Sequence, residues 1–439
     1  MSKYFDLILK NANCFTVQGL EQIDIGIKDG VITEISNIGQ ENGAECLDLS
    51  GLTILPGVID SQVHFREPGN EHKEDLESGT RSAVLGGVTT VFEMPNTKPA
   101  TTTKEALEDK LSRANGRCWT DYAFFMGGTQ EDKAWNDLES LPGCCGIKIF
   151  MGSSTGNLLV SEDEWIQNIL SKSKRRTAVH CEDENILKEN FHIAQDGKHP
   201  RFHPKWRSNL AAYNATKRLL TIARNTNHPV HVLHVTTAEE MELLAQNKDI
   251  ATVEVLPQHL TLTDEVYESL GTFAQMNPPI RDSIHQEALW KAVQNGTVDV
   301  LGSDHAPHTI EEKNKEYPNS PSGMPGVQTL VPIMLNHVNN GKLSLNRFVD
   351  LTSWSQTRIY GIKKKGRIAV GYDADFTVVD LNRSEVISNS KMASKCGWTP
   401  YDGMKVQGWP VQTIIRGQLV MSDGELIGKP IGKTVNFIL

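Results

Sequence analysis

The 439-residue sequence lacks three features that would each indicate a particular class of protein. It has only 7 cysteines, an odd number without the spacing of a disulfide framework, which predicts a reducing compartment. It has no excess of positive charge, since its net charge is −10, and this disfavours nucleic acid or an anionic membrane as a partner. No apolar run approaches the ~18 residues of a membrane span, and the first residues lack a signal-peptide core. We therefore expect a cytoplasmic protein whose partner is a small molecule.

The middle of the chain alternates between two kinds of segment. Short apolar runs that end in polar residues predict eight strands, at 53–64, 87–96, 120–128, 146–152, 177–183, 229–236, 251–259 and 298–305. Segments with helical spacing lie between most of them, at 104–114, 162–173, 208–224, 238–246 and 283–293. This alternation predicts an α/β fold, a (β/α)8 TIM barrel at 53–364, with function at the carboxyl ends of its strands.

The two ends of the chain have a different pattern of apolar residues from the middle. Residues 1–52 and 365–439 show alternating apolar positions and Asp-Gly turn signals, which are typical of short antiparallel strands. Because domain termini often lie close together, both ends are predicted to build one small β-sandwich domain.

The first predicted strand ends in three polar residues with a spacing of two. Alternation would turn Asp60, Gln62 and His64 to one side, as a metal-binding strand end requires. Gln62 is unusual there, because a neutral amide oxygen is a weaker donor to a transition metal than an imidazole. The other strand ends add further candidates, which are Lys148, His180, His234 and Asp304.

The stretches of sequence around these residues, and several others, resemble those of the dihydroorotases. This family belongs to the amidohydrolase superfamily, and its near relatives include hydantoinases and allantoinases. The run His64-Phe65-Arg66-Glu67-Pro68-Gly69 and the run 303–308 are the most specific matches. The other matching stretches are 57–63, 93–97, 148–151, 179–182, 234–236, 277–281, 394–403 and 411–420. They span almost the whole chain in one order.

The resemblance implies a zinc (Zn2+) site with one or two ions per chain. His64 and Asp304, with a His in most relatives where this chain has Gln62, would hold one ion, and His180 and His234 the other. Lys148 would carry a carbamate that bridges the ions, which would explain a lysine inside an apolar strand. Asp304 would also transfer the proton during catalysis, and a homo-oligomer, a dimer or tetramer, is expected.

Arg66 favours an anionic substrate among the alternatives. Dihydroorotate has a carboxylate that needs a fixed cation, and Arg66 lies two residues after His64 on the same side. The resemblance adds Asn96, Asn277 and His308 as substrate-binding residues. Uncharged rings, the substrates of a hydantoinase or allantoinase, would not require Arg66.

Gln62 leaves three hypotheses open about the metal site. Its amide oxygen ligates the metal weakly or is replaced by water, or one ion is lost, or the chain is a non-catalytic relative that binds another protein. The other ligands and Arg66 are all present together, which favours an enzyme. The segment 309–322 is a candidate for the loop that closes over the substrate.

Overall fold

The computed structural model of the protein describes residues 4–39, 44–154 and 158–438. Eight strands at its centre pair in parallel, each with the next along the chain. A parallel bridge between Val63 and His305 joins the first strand to the segment after the last, so the sheet closes into a barrel. The predicted (β/α)8 barrel is confirmed, with strands at Val58–Val63, Val88–Glu93, Asp121–Gly127, Cys144–Phe150, Thr177–His180, Val230–Val232, Ala251–Val255 and Val300–Leu301.

Helices surround this barrel, and several of them begin at a residue whose side chain caps the first turn. Thr103 and Ser208 each accept a hydrogen bond from a backbone N–H of the first turn, which starts two of the long helices. The longer helices are Leu76–Leu85, Lys104–Ala114, Asp163–Lys172, Asn209–Thr226, Ala238–Ala245, Ser283–Asn295 and Leu330–Asn339. Shorter ones are Trp135–Glu139, Glu184–Glu189, Phe191–Gly197, His203–Trp206, Pro257–Thr261, Val266–Leu270, Ile310–Lys313, Leu345–Val349 and Ser355–Tyr360. Single turns of other helix types lie at Pro200–Phe202, Gly271–Ala274, Asp350–Trp354 and Asn389–Lys391.

The observed barrel strands are shorter than the predicted ones or shifted along the chain, and two of these differences have a clear local cause. The predicted strand 53–64 is divided at Gly57, whose N–H donates to the Asp375 carbonyl at 2.9 Å, so that Thr53–Pro56 joins a sheet outside the barrel. A Cβ at Gly57 would lie 2.4 Å from Thr89 Oγ1, which explains the glycine at this crossing. The predicted strand 251–259 stops at Val255, because Pro257 begins a helix at its first turn.

The chain ends form two further sheets that share one apolar core. That core includes Leu9 and Ile27 of one sheet and Ile54, Phe376 and Val411 of the other. The four-stranded sheet comprises Leu7–Lys10, Asp24–Lys28, Val31–Ser36 and Glu45–Asp48. The seven-stranded sheet comprises Asn13–Thr16, Gly19–Gln22, Thr53–Pro56, Phe376–Val386, Lys405–Ile415, Gln418–Ser422 and Glu425–Leu426. The predicted β unit from both chain ends is thus present beside the barrel.

The carboxyl-terminal tail returns to the barrel. Thr434 pairs with Tyr122, and Phe437 pairs with Ile362 and packs against Phe92 in the barrel core. The domain boundaries at 1–52, 53–364 and 365–439 stay a prediction, which these contacts refine at 53–56 and at the tail. Among the described helices, none is long and apolar enough to cross a membrane.

Candidate active site

A cavity opens at the carboxyl ends of the barrel strands, where the sequence predicts the site. Its volume is about 350 Å³ including the opening to solvent. All the predicted site residues except Asp60 and His308 line it, and Asp60 Oδ1 instead accepts hydrogen bonds from the backbone N–H groups of Gln62 and Ser303. The lining residues are Gln62, His64, Arg66, Asn96, Lys148, Phe150, Ser154, His180, His234, Asn277, Asp304, Ala306, Ser322 and Gly323.

Three lining residues other than glycine have a left-handed backbone. The φ angles are +67° for Arg66, +37° for His234 and +43° for Asp304. Such conformations cost non-glycine residues about 1–3 kcal/mol and cluster at functional sites. The fold therefore holds these three side chains in place against a local backbone preference.

One part of the cavity, here called the histidine half-site, consists of His180 and His234. His180 Nδ1 lies 3.1 Å from His234 Nε2, and His180 Nε2 lies 2.9 Å from a Glu182 oxygen. Burial lowers the pKa of both imidazoles, which favours their neutral, metal-binding form. Two nitrogen ligands of one tetrahedral zinc ion lie ~3.3 Å apart, close to the separation found here.

The other part, here called the carboxylate half-site, consists of Gln62, His64 and Asp304. His64 Nε2 and Gln62 Nε2 lie 3.1 Å and 3.2 Å from Asp304 Oδ1. His64 Nδ1 lies 2.7 Å from Asn96 Oδ1, so its Nδ1–H can donate to that oxygen. The Nε2 lone pair then faces a carboxylate oxygen, an arrangement that a cation between them would stabilise.

Lys148 lies on the fourth barrel strand beside both half-sites. Its ammonium is 4.5 Å from the centroid of the Phe150 ring, and burial lowers its pKa to about 7. A neutral amine is the form that can react with carbon dioxide. Lys148 is therefore suited to the carbamate that the resemblance implies.

The donors fit a metal ion only if Gln62 or Lys148 contributes. Among the described residues, no three His, Cys, Asp or Glu side chains gather as a metal-binding group. They come instead as the pairs His180 with His234 and His64 with Asp304. The carbonyl oxygen of Gln62 and Nδ1 of His234 are buried without a hydrogen-bond partner. The unsatisfied amide oxygen of Gln62 could complete one half-site, and a Lys148 carbamate could complete both.

Arg66 is a buried cation in the cavity wall. It is 4% exposed, and its Nε donates to the Pro307 carbonyl at 3.2 Å. No described Asp or Glu forms an ion pair with it, although the charges of Asp304, Glu93 and Glu312 act on it from further away. A buried guanidinium without an acidic partner indicates a site for an anionic ligand.

His308 contacts Arg66 and is not among the described residues that line the cavity. Its Nε2 is 3.3 Å from Arg66 Nη2 and 3.0 Å from the Ser322 carbonyl, while Lys73 Nζ lies 3.2 Å from its Nδ1. If Lys73 donates to Nδ1, the Nε2–H donates to Ser322. His308 is thus placed to support the cavity wall, whereas direct substrate contact stays a prediction.

The candidate closing loop 309–322 is packed into the structure. It contains the helix Ile310–Lys313, and Lys313 Nζ donates to the carbonyls of Gln275, Pro321 and Gly323 at 2.9–3.1 Å. These bonds tie the segment to the loop that carries Asn277. Ser322, at the end of this segment, lines the cavity, and the closing role of the segment stays a prediction.

Several buried polar residues around the site were not assigned from the sequence. Glu182 lies two residues after His180, so alternation alone could have placed it beside that ring. Arg207 carries no such signal, because it reaches Glu182 from a separate segment. Glu254 lies beneath the cavity, where burial raises its pKa to about 8, and it accepts a hydrogen bond from the His234 N–H.

A TIM barrel with such donors at its strand ends is typical of metal-dependent hydrolases. The model of the amidohydrolase family matches residues 53–420, and the chain belongs to this family.

Similar sequences and structures come from the cyclic-amide branch of the family. A dihydroorotase of Pyrococcus abyssi is 37% identical over 94% of both chains. A dihydroorotase of Methanothermobacter thermautotrophicus is 34% identical over 96% of both. The structure of an L-hydantoinase from Arthrobacter aurescens has a TM-score of 0.94 and 31% identity, and covers 98% of this chain and 99% of its own. The resemblance to dihydroorotases and to their near relatives is confirmed, and the enzymes of this family are generally metal-dependent.

Proposed function

We propose that this protein interconverts dihydroorotate and N-carbamoyl-L-aspartate as a dihydroorotase of pyrimidine (UMP) biosynthesis. The observation that carries this proposal is Arg66, a buried guanidinium in the cavity wall with no ion pair to a described carboxylate. The carboxylate of dihydroorotate would neutralise it. The dihydroorotase relatives support the same reaction.

The residues that would hold zinc (Zn2+) are those of the two half-sites. His180 and His234 would bind one ion, and His64 with Asp304 and the Gln62 oxygen a second, with a Lys148 carbamate shared between them. When bound, the metal would supply Lewis acidity toward water and the ring carbonyl. One or two ions per chain fit this donor set.

The chain's own residues would bind the substrate and transfer the proton. Arg66 would bind the substrate carboxylate, while Asn96 and Asn277 line the cavity where they can hydrogen-bond the ring. Asp304 would take a proton from the attacking water and give it to the ring nitrogen as the carbon–nitrogen bond breaks. In the reverse direction the same groups close the ring.

A hydantoinase is the second candidate, because the L-hydantoinase structure superposes with a TM-score of 0.94. Its uncharged ring would leave Arg66 buried without a counter-charge, which costs free energy. Purified zinc-loaded protein should therefore open dihydroorotate faster than hydantoin or allantoin. Turnover of none of these at full metal occupancy would favour the non-catalytic hypothesis.

The variant Arg66→Met tests the substrate assignment. Loss of a charge-assisted hydrogen bond of about 1.5–3 kcal/mol should raise KM for dihydroorotate about 10- to 100-fold. Arg224→Met, which removes an exposed arginine paired with Asp249, should leave KM unchanged. An equal KM for Arg66→Met and the wild type would contradict a carboxylate-binding role.

A further inference from the structure

The imidazole of His180 is bonded on the side away from the cavity by a buried carboxylate. Glu182 is 0% exposed, and its Oε2 lies 2.9 Å from His180 Nε2. The two residues are two positions apart at the end of the fifth barrel strand, so their side chains share a direction. The opposite nitrogen of the ring, Nδ1, faces His234.

Arg207 keeps this carboxylate ionised. Its Nε lies 3.1 Å and 3.0 Å from the two Glu182 oxygens, and its Nη2 bonds the same carboxylate. Both partners of this ion pair are buried, so the Arg207 guanidinium supplies the counter-charge that an ionised carboxylate needs away from solvent. Arg207 Nη2 also donates to the Ser153 carbonyl at 2.7 Å, beside the lining residue Ser154.

An ionised carboxylate can only accept hydrogen bonds, and this constrains the histidine. His180 must carry its hydrogen on Nε2 to bond Glu182, which leaves a bare lone pair on Nδ1. That lone pair points at His234 Nε2, 3.1 Å away. The ring therefore offers one defined nitrogen to a cation between the two histidines.

We propose that Glu182, held by Arg207, is a positioning residue that fixes the Nε2–H tautomer of His180 and so presents Nδ1 to a divalent metal ion. This inference rests on the metal-dependent function proposed above. Hydrogen-bonded partners of this kind orient metal-binding histidines and raise their basicity. Arg207 acts in turn by holding the carboxylate.

The variant Glu182→Gln tests the proposal with little change in volume. Its amide can donate as well as accept, so His180 is free to adopt either tautomer. We expect the Zn2+ affinity, measured by competition with a chromogenic chelator, to fall about 10- to 100-fold. The matched control is Glu240→Gln, another buried carboxylate, which bonds Thr216 and Thr237 and should leave the affinity unchanged.

The tautomer itself gives a second measurement that needs no substrate and no metal. Nitrogen-15 NMR of metal-free protein labelled at histidine should show His180 as the Nε2–H form in the wild type and as a mixture in Glu182→Gln. The His180 signal is assigned by its loss in His180→Asn. A merely structural role of Glu182 would not change this signature in a folded variant.

The outcomes separate this proposal from the proposed function. An Nδ1–H tautomer in the wild type overturns it, as does a wild type that binds no Zn2+ or a folded Glu182→Gln with unchanged affinity. If Glu182→Gln does not fold, the NMR measurement of the His180 tautomer in the wild type tests the proposal by itself. Protein with the expected tautomer and zinc affinity but no turnover of dihydroorotate would refute the reaction and leave the positioning role in place.

Discussion

The two half-sites of the cavity differ in how the protein supports their imidazoles. In the histidine half-site, His180 is bonded by the ionised Glu182 and its partner Arg207. In the carboxylate half-site, His64 is bonded by the neutral amide of Asn96, and Gln62 offers a neutral amide oxygen, which is a weak donor to a transition metal. A carboxylate increases the basicity of an imidazole more than an amide does. We therefore expect the histidine half-site to hold a metal ion more tightly.

The largest effect should follow from Asp304→Asn. An amide cannot take up the proton, so kcat should fall about 10²- to 10⁴-fold. Metal analysis of the same variant should still find the ion of the histidine half-site, because Asp304 belongs to the other one. Loss of all bound metal would mean that the half-sites do not bind independently.

Gln62→His should reduce the difference in zinc affinity between the two half-sites. It replaces a weak amide donor by an imidazole next to His64 and Asp304. We expect the affinity for the more weakly bound ion to rise about tenfold or more. Isothermal titration calorimetry with Zn2+ measures this second affinity. The variant Gln294→His, which adds an exposed histidine elsewhere, controls for non-specific zinc binding. An unchanged second affinity would show that position 62 does not limit this half-site.

The smallest effect is expected from Asn96→Ala. The variant removes one neutral hydrogen bond to His64, worth about 0.5–1.5 kcal/mol, so the affinity of the carboxylate half-site should fall about 2- to 10-fold. The affinity of the histidine half-site should not change. If Asn96→Ala weakened zinc binding more than Glu182→Gln does, the carboxylate would not be the stronger of the two histidine supports. The expected difference in zinc affinity between the half-sites would then lose its basis.

Local signals predicted most of the fold. The helix Lys104–Ala114 has the predicted bounds because Thr103 caps its amino end and its apolar residues repeat with helical period. The ends of the barrel strands place six predicted residues in one cavity, as alternation and barrel topology require. These are Gln62, His64, Lys148, His180, His234 and Asp304. Periodicity could not reveal the break at Gly57, because the residues on both sides of it are equally apolar.

The supports of the site could not be predicted in the same way. Arg207 meets Glu182 from 25 positions later, and Lys73 meets His308 across loops that follow the first and last barrel strands. Such pairs depend on where loops cross in space, and no repeat in the sequence records that. The structure places His308 against Arg66 and outside the set of cavity-lining residues, and its contact with the substrate stays a prediction.

The sequence by itself determined the barrel, the residues at its mouth and the relationship to the amidohydrolases, because strand alternation and short motifs are local properties of the chain. Only the tertiary structure decided which nitrogen of His180 faces His234, that Arg66 forms no ion pair with an acidic residue among those described, and that Lys313 bonds the Gln275 carbonyl. Those features depend on distances between side chains far apart in the chain, and only the packing of the folded barrel sets such distances.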